Sequence, residues 1–224
     1  PSGTTLGIIG KTGSGKTTLA NLLLRLYPIP DGHVFINNID INQISLETLR
    51  GKIGFVPQDN FLFSTTIKTN IGFYHEGITD EEIEEAAKMS GVYDDILEFP
   101  DGFDTIVGER GITLSGGQRQ RVTIARALVK NPSILILDDS LSAVDTETER
   151  EVLGNIRSIL KHRTGIIISH RVSTVMNADK IIYLEDGRII EEGSHQELME
   201  QKGAYYKLYM SQTENPDENM GAEQ

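Results

Sequence analysis

The chain has no cysteine among its 224 residues, which excludes a disulfide framework and a thiolate metal site. A reducing compartment fits that absence. Positive charge is scarce: 21 Lys and Arg stand against 33 Asp and Glu, a net charge of −12. That balance argues against a nucleic-acid-binding surface, and we expect no nucleic-acid partner. No apolar run approaches the roughly 18 residues a membrane helix needs, so no direct membrane insertion by this chain is expected. No signal-peptide pattern and no internal repeat is visible. The chain begins on Pro1 rather than Met, and we expect a piece of a longer polypeptide. The content is otherwise ordinary, with 38% hydrophobic residues and 22 Gly, enough for one large domain or two small ones with a sizeable core.

Along the chain, "TTLGIIG" (4–10) reads as a short buried strand, followed by a helical run "KTTLANLLLRLY" (16–27). "HVFINNIDI" (33–41) alternates as a strand or hairpin would, and "KIGFVPQ" (52–58) is a strand stopped by Pro57. The middle changes character. Thr79 with Glu82, and Ser115 with Gln118, form capping boxes ahead of helical runs; Gly91 and Asn131-Pro132 sit where those helices stop. We therefore expect a mainly helical segment over 63–131 inserted into an α/β framework. The framework resumes with strands "ILIL" (134–137), "GIIIS" (165–169) and "KIIYL" (180–184), a helix over 146–160, and an Asp186-Gly187 hairpin turn. Ser194 and Glu197 cap a last short helix, and the acidic tail 211–224 is expected to be disordered.

"GKTGSGKT" (10–17) fits G-x-x-x-x-G-K-[ST] between a strand and a helix. Gly10, Gly13 and Gly15 permit backbone conformations that turn successive N–H groups toward phosphate oxygens. Thr12 and Ser14 complete the loop, and the helix beginning near Lys16 adds its positive end. Lys16 can reach β- and γ-phosphates, the Thr17 hydroxyl can ligate Mg²⁺, and Thr18 can add a phosphate contact. This pattern indicates a nucleoside triphosphate and leaves kinase, GTPase and ATPase open. In "ILILDD" a buried strand ends in Asp138, the position from which P-loop proteins hold Mg²⁺; an N-cap role for the same carboxylate is the rival reading.

"LSGGQRQR" (114–121) places Ser115, Gly116, Gly117 and Gln118 at a helix start, a second anion site. In this order and spacing with the phosphate loop and "ILILDD", it closely resembles the nucleotide-binding domain of ATP-binding cassette (ABC) transporters over about residues 1–210. The resemblance implies a P-loop NTPase (RecA-like) core at 1–62 and 132–210 carrying a helical subdomain at 63–131, with ATP and Mg²⁺ as cofactors. Gln58 in "FVPQDN" matches the glutamine that senses Mg²⁺ and the attacking water. His170 in "IISHR" matches the switch histidine at the γ-phosphate. "SAVD" (142–145) matches the loop that crosses the dimer interface, although Asp145 is equally placed to cap the next helix. His33, His75, His162 and His195 match no motif and are expected at the surface. Arg119, Arg121, Arg126 and Lys130 are expected on solvated and phosphate-side faces of one helix. "TIVGERG" (105–111) and "QDNFLFSTTIKTNI" (58–71) resemble the exporter versions of elements that touch a transmembrane domain. The implied partners are that transmembrane domain and a second ABC ATPase domain on a different chain, at the cytoplasmic face of a membrane. A soluble ABC ATPase is the weaker alternative, disfavoured by the charge and by "TIVGERG".

Two departures stand out. The family usually carries an aromatic residue upstream of the phosphate loop that stacks on adenine. None of the nine residues before Gly10 is aromatic, so the first strands are expected to be truncated and adenine stacking weakened. Second, Asp139 occupies the place of the usual catalytic Glu, one methylene shorter. This resembles the degenerate-site halves of heterodimeric exporters and implies slow hydrolysis at this chain's own site, or a mainly allosteric ATP-binding half.

Overall fold

The computed structural model describes residues 3–73, 77–108, 114–140, 154–161 and 163–214. Its centre is a six-stranded sheet in the order β4-β5-β6-β1-β7-β8, formed by β1 (Thr5–Ile9), β4 (Ile53–Val56), β5 (Ile134–Asp138), β6 (Thr164–Ser169), β7 (Lys180–Glu185) and β8 (Arg188–Gly193). All neighbours pair in parallel except β7 with β8, whose antiparallel pairing follows from the tight turn at Asp186 (φ 47°) and Gly187 (φ 73°). Strand chemistry explains the near-continuous apolar runs, because a parallel sheet is covered on both faces. Side chains alternate across it: Ile8, Ile136, Ile168 and Ile182 point into one apolar layer, whereas Ile9, Leu135, Leu137, Ile167, Ile181 and Tyr183 point into the other.

The first layer packs α1 (Lys16–Leu23) and α2 (Leu46–Gly51) through Ala20, Leu24 and Leu49. The second packs α6 (Gly116–Leu128), a helical stretch at 154–160 (α7), α8 (Val172–Val175), α9 (His195–Gln201) and α10 (Ala204–Glu214). A separate apolar cluster gathers α3 (Ile67–Gly72), α4 (Asp80–Met89) and α5 (Tyr93–Glu98). Helix α6 joins the two: Ile124 and Leu128 face the sheet, and Val122, Ala125 and Val129 face α3–α5. The capping boxes at Thr79, Ser115 and Ser194 are all formed.

Several expectations need correction. Helix α1 ends at Leu23 rather than Tyr27, because Arg25 turns left-handed (φ 48°) and donates its guanidinium to the Ile41 and Ile44 carbonyls. The 33–41 segment agrees with its alternation: it is a minimal hairpin, β2 (Phe35–Ile36) and β3 (Ile39–Asp40), turned by Asn37 and Asn38 at positive φ. The tail is helical as far as Glu214, so 211–214 continue α10 rather than begin a disordered end; 215–224 lie outside the described residues. His195 is half-buried, with its Nδ1 2.7 Å from the Tyr205 hydroxyl and its ring edge-on to Tyr205 and Tyr209. His33 is exposed, and His75 and His162 lie outside the described residues. So do 141–153, which hold "SAVD" and most of the helix expected at 146–160, and 109–111 of "TIVGERG".

The arginines of α6 differ most from expectation. Arg119 donates to the Leu114 carbonyl and Arg121 to Asp95 and the Gly91 carbonyl. Arg126 donates to the backbone carbonyls of Asn70 and Phe61 and to the Asn70 side chain. Burial brings the Arg126 pKa down to about 10, so it stays charged at neutral pH and needs every one of those acceptors. Asn70, fully buried, also bridges the Phe63 N–H and carbonyl. Substituting Asn70→Ala should therefore cost about 3 kcal/mol, since it strands part of a charged donor as well as two backbone groups. Urea denaturation should show a lower midpoint at unchanged slope.

Candidate nucleotide-binding site

The strand ends build the site. β1 runs into the loop 10–15, which delivers the chain to α1 at Lys16. Gly10 lies so close to the hairpin strand that a Cβ there would collide with the Leu184 carbonyl, and Gly187 N–H donates to the Ser14 carbonyl (3.1 Å). The β7–β8 turn thus props the loop from behind. Gly13 (φ 82°) and Gly15 (φ 100°) adopt the left-handed backbone that bends it around an open centre.

Within the loop the buried Lys16 ammonium donates to the Gly10 and Lys11 carbonyls at 2.7 and 2.9 Å. Among the described residues no carboxylate pairs with it within 4 Å; desolvation lowers its pKa, and the more distant Asp139 and Asp138 oppose that shift. Among the described residues the buried Ser14 hydroxyl has no hydrogen-bond partner. A desolvated cation and an orphaned hydroxyl in one glycine cradle fit a polyphosphate, whose oxygens would satisfy both. Thr12, Gly13, Thr17 and Thr18 are exposed along it.

β5 and β6 contribute the facing wall. The Thr17 hydroxyl donates to Asp138 Oδ1 at 3.3 Å, although they are 121 residues apart. Asp138 is buried, and desolvation raises its carboxyl pKa, reinforced by Asp139 and offset by Thr17 and Lys16. Among the described residues no group of three or more His, Cys, Asp or Glu could hold a metal. A hydroxyl and one carboxylate beside phosphates suit Mg²⁺, which keeps several waters and binds through few protein oxygens. The raised pKa also sets a sign: ionising Asp138 costs the empty fold stability as pH rises through its folded pKa. Asp138→Asn should therefore raise the melting temperature of the nucleotide-free chain at neutral pH. The same variant should lose the extra stabilisation Mg²⁺ gives with nucleotide; thermal scans with and without Mg²⁺ read both effects.

Asp139 follows at φ 44°, a left-handed position that Asp tolerates better than most residues, with its N–H donated to the Ile168 carbonyl. Both its oxygens lie on His170 Nδ1, at 2.9 and 2.7 Å, and the Ser169 hydroxyl is 3.4 Å from Oδ1. Parallel pairing of Asp138 with Ile168 brings the two strand ends level and makes this contact possible. Gln58 lies at the same edge, two residues beyond Val56, which pairs with Leu137, but its exposed side chain hydrogen-bonds to neither Thr17 nor Asp138. Ser115, Gly116, Gly117 and Gln118 stand apart. The Gln118 amide donates to Asp95 Oδ1 at 3.0 Å and closes the capping box with Ser115, and neither side chain bonds to residues 10–18. Sequence reasoning missed Asp95, Ser169 and Gln212, whose contacts join segments with no shared motif.

A sheet whose strand ends hold a glycine phosphate cradle, a lysine and a hydroxyl–carboxylate pair is the core of a P-loop nucleotide-binding domain. The family description "ABC transporter" matches residues 1–142, and the chain belongs to that family. It is 50% identical over 210 residues, 94% of its length, to the probable multidrug resistance ABC transporter ATP-binding/permease protein YheI of Bacillus subtilis. It is 47% identical over 220 residues, 98% of its length, to ATP-binding cassette sub-family B member 5 of Homo sapiens. A bacterial Atm1-family ABC exporter solved with ATP bound superposes on 94% of the chain with a TM-score of 0.89 and 44% identity. The chain spans 36% of the Bacillus protein, 18% of the human one and 37% of the solved chain. It is an exporter-type ABC ATPase domain, and among its described residues no helix is long and apolar enough to cross a membrane.

Proposed function

We propose that this chain binds Mg²⁺-ATP and, as the motor part of an ABC exporter at the cytoplasmic face of a membrane, couples ATP hydrolysis to transport through head-to-tail pairing with a second ABC domain on a different chain. The reading rests on one observation: Lys16, Thr17, Asp138, Asp139 and His170 converge on one edge of the sheet from β1, β5 and β6. In this scheme the loop 10–18 and Lys16 grip the phosphates, and Thr17, Asp138 and Gln58 would hold Mg²⁺, which would supply charge neutralisation there. Asp139 orients the attacking water and accepts its proton, and His170 contacts the γ-phosphate. Ser115 to Gln118, whose bonds run within the helical unit, would face the partner's nucleotide. The names of relatives range from lipid A-core flippase to heavy metal tolerance protein, so cargo choice is assigned to parts beyond this chain.

A second reading has its own support. Both Asp139 oxygens lie on the His170 ring, and the side chain is one methylene shorter than the Glu usual at this place. On that reading the site holds ATP and signals to the partner while turning over slowly. ATPase assays on the assembled transporter separate the two: fast turnover abolished by Lys16→Ala supports the motor, and negligible turnover relieved by Asp139→Glu supports the binding half. Nucleotide-independent behaviour of both variants would sink the whole proposal.

A further inference from the structure

Helix α10 reaches back to the segment that carries His170. The Gln212 side chain accepts the Val172 N–H at 2.8 Å and donates to the His170 carbonyl at 2.7 Å. One amide therefore clasps the backbone on both sides of Arg171. The clasp meets a real need, because Val172 opens the four-residue helix α8, whose N-cap residue Arg171 supplies no side-chain cap. An unpaired amide there would be one of the orphan donors that every helix start leaves. An amide side chain carries a donor and an acceptor side by side, so it can do both at neutral pH without titrating.

The far end of α10 is equally fixed. Glu191 on β8 accepts from the Ala204 and Tyr205 N–H groups. Tyr205 is fully buried in the sheet layer, and its hydroxyl meets His195 Nδ1 at 2.7 Å. Leu208 and Tyr209 pack against the same layer. From Tyr205 to Gln212 an α-helix advances about 10 Å, and a short packed helix does not bend easily. The Gln212 amide is thus held at a distance set by anchors remote from the nucleotide edge. On the other side of the segment, the His170 ring rests on Asp139 and the Ser169 hydroxyl accepts the Arg171 N–H at 3.0 Å.

We infer that Gln212 is a positioning residue for hydrolysis: by clasping the His170–Val172 backbone it fixes the imidazole against Asp139, so that α10 bears on the γ-phosphate side of the site and not on nucleotide binding. This rests on the role proposed above for His170. The phosphate cradle takes its supports from β1, α1 and the β7–β8 turn, whereas among the described residues the Gln212 side chain hydrogen-bonds to His170 and Val172. Binding and turnover therefore separate.

The test uses the full-length polypeptide with its partner. Gln212→Ala and the near-isosteric Gln212→Met should lower kcat by about 10- to 100-fold, as expected for a reacting group misplaced by about 1 Å. The Kd for a non-hydrolysable ATP analogue should stay within about twofold, a difference below 0.5 kcal/mol. Gln212→Glu keeps the acceptor and loses the donor, and should fall between. In a His170→Ala background Gln212→Ala should change kcat no further, because the two residues act as one unit. The His170 ring resonances of the nucleotide-free protein should move in Gln212→Met, which reads the position without turnover. Equal losses in both backgrounds, or unmoved His170 resonances, overturn the inference. If His170→Ala leaves kcat intact while Lys16→Ala abolishes it, the role of His170 fails and takes the inference with it. Intact His170 dependence with an inert Gln212 sinks the inference alone.

Discussion

Lys16→Ala should abolish nucleotide-dependent activity without unfolding the protein. The ammonium sits at the centre of the 10–18 loop, buried, and is held by the Gly10 and Lys11 carbonyls. It is already desolvated, so a bound phosphate meets a cation that has lost much of its water. Removing one partner of such a buried charge contact costs about 2–5 kcal/mol, so affinity for Mg²⁺-ATP should fall by about 30-fold or more. The charge that develops on the γ-phosphate loses its donor as well, and comparable losses of a preorganised donor cost about 10²–10³ in kcat. The empty protein should be little affected, because the alanine removes a desolvated charge together with two hydrogen bonds to loop carbonyls. A fluorescent-nucleotide titration and a thermal scan on the same sample separate these effects. Unchanged nucleotide affinity with a folded protein would remove Lys16 from the site.

On the reading in which this site turns over slowly, Asp139→Glu should raise turnover by about 10²-fold, the scale set by roughly 1 Å of misplacement in phosphoryl-transfer geometry. The present side chain ends on His170, bound by both oxygens. One further methylene gives the carboxylate about 1.5 Å more reach past the imidazole. The gain has an opposing consequence. Residue 139 lies at φ 44°, where Asp is tolerated far better than Glu, and left-handed backbone at an unsuited residue costs about 1–2 kcal/mol. The variant should therefore hydrolyse faster and melt earlier. Asp139→Asn distinguishes a slow base from no base, for it lowers turnover further only if the carboxylate still takes the proton. Should Asp139→Glu leave turnover unchanged in the assembled transporter, the asymmetric-site reading loses its main support.

The elements legible in the chain were those governed by neighbours in sequence. Capping boxes at Thr79, Ser115 and Ser194 satisfy their own helix's N–H groups, so three or four residues suffice to read them. The Asp186-Gly187 turn and the apolar strands obey equally local rules. The phosphate loop is legible for a related reason: it recognises its ligand mainly through backbone N–H groups, so its glycines carry the signal. The misread features depended on partners far along the chain. Arg126 looked like a solvated cation on a helix face, yet its acceptors, Phe61 and Asn70, arrive on α3 and the segment before it. His195 matched nothing, yet Tyr205 gives it a partner.

The sequence by itself determined the parallel α/β framework, the phosphate cradle and the chemical types at the strand ends, because strand alternation, capping and backbone torsions act over a few residues. Only the tertiary structure decided which of those types meet. The register that levels Asp138 with Ile168 brings Asp139 onto His170, the Thr17–Asp138 contact closes a gap of 121 residues, and the packing of α10 carries Gln212 to the backbone around Arg171. A side-chain contact of about 3 Å is set by the sum of every packed layer between its partners, and no local rule contains that sum.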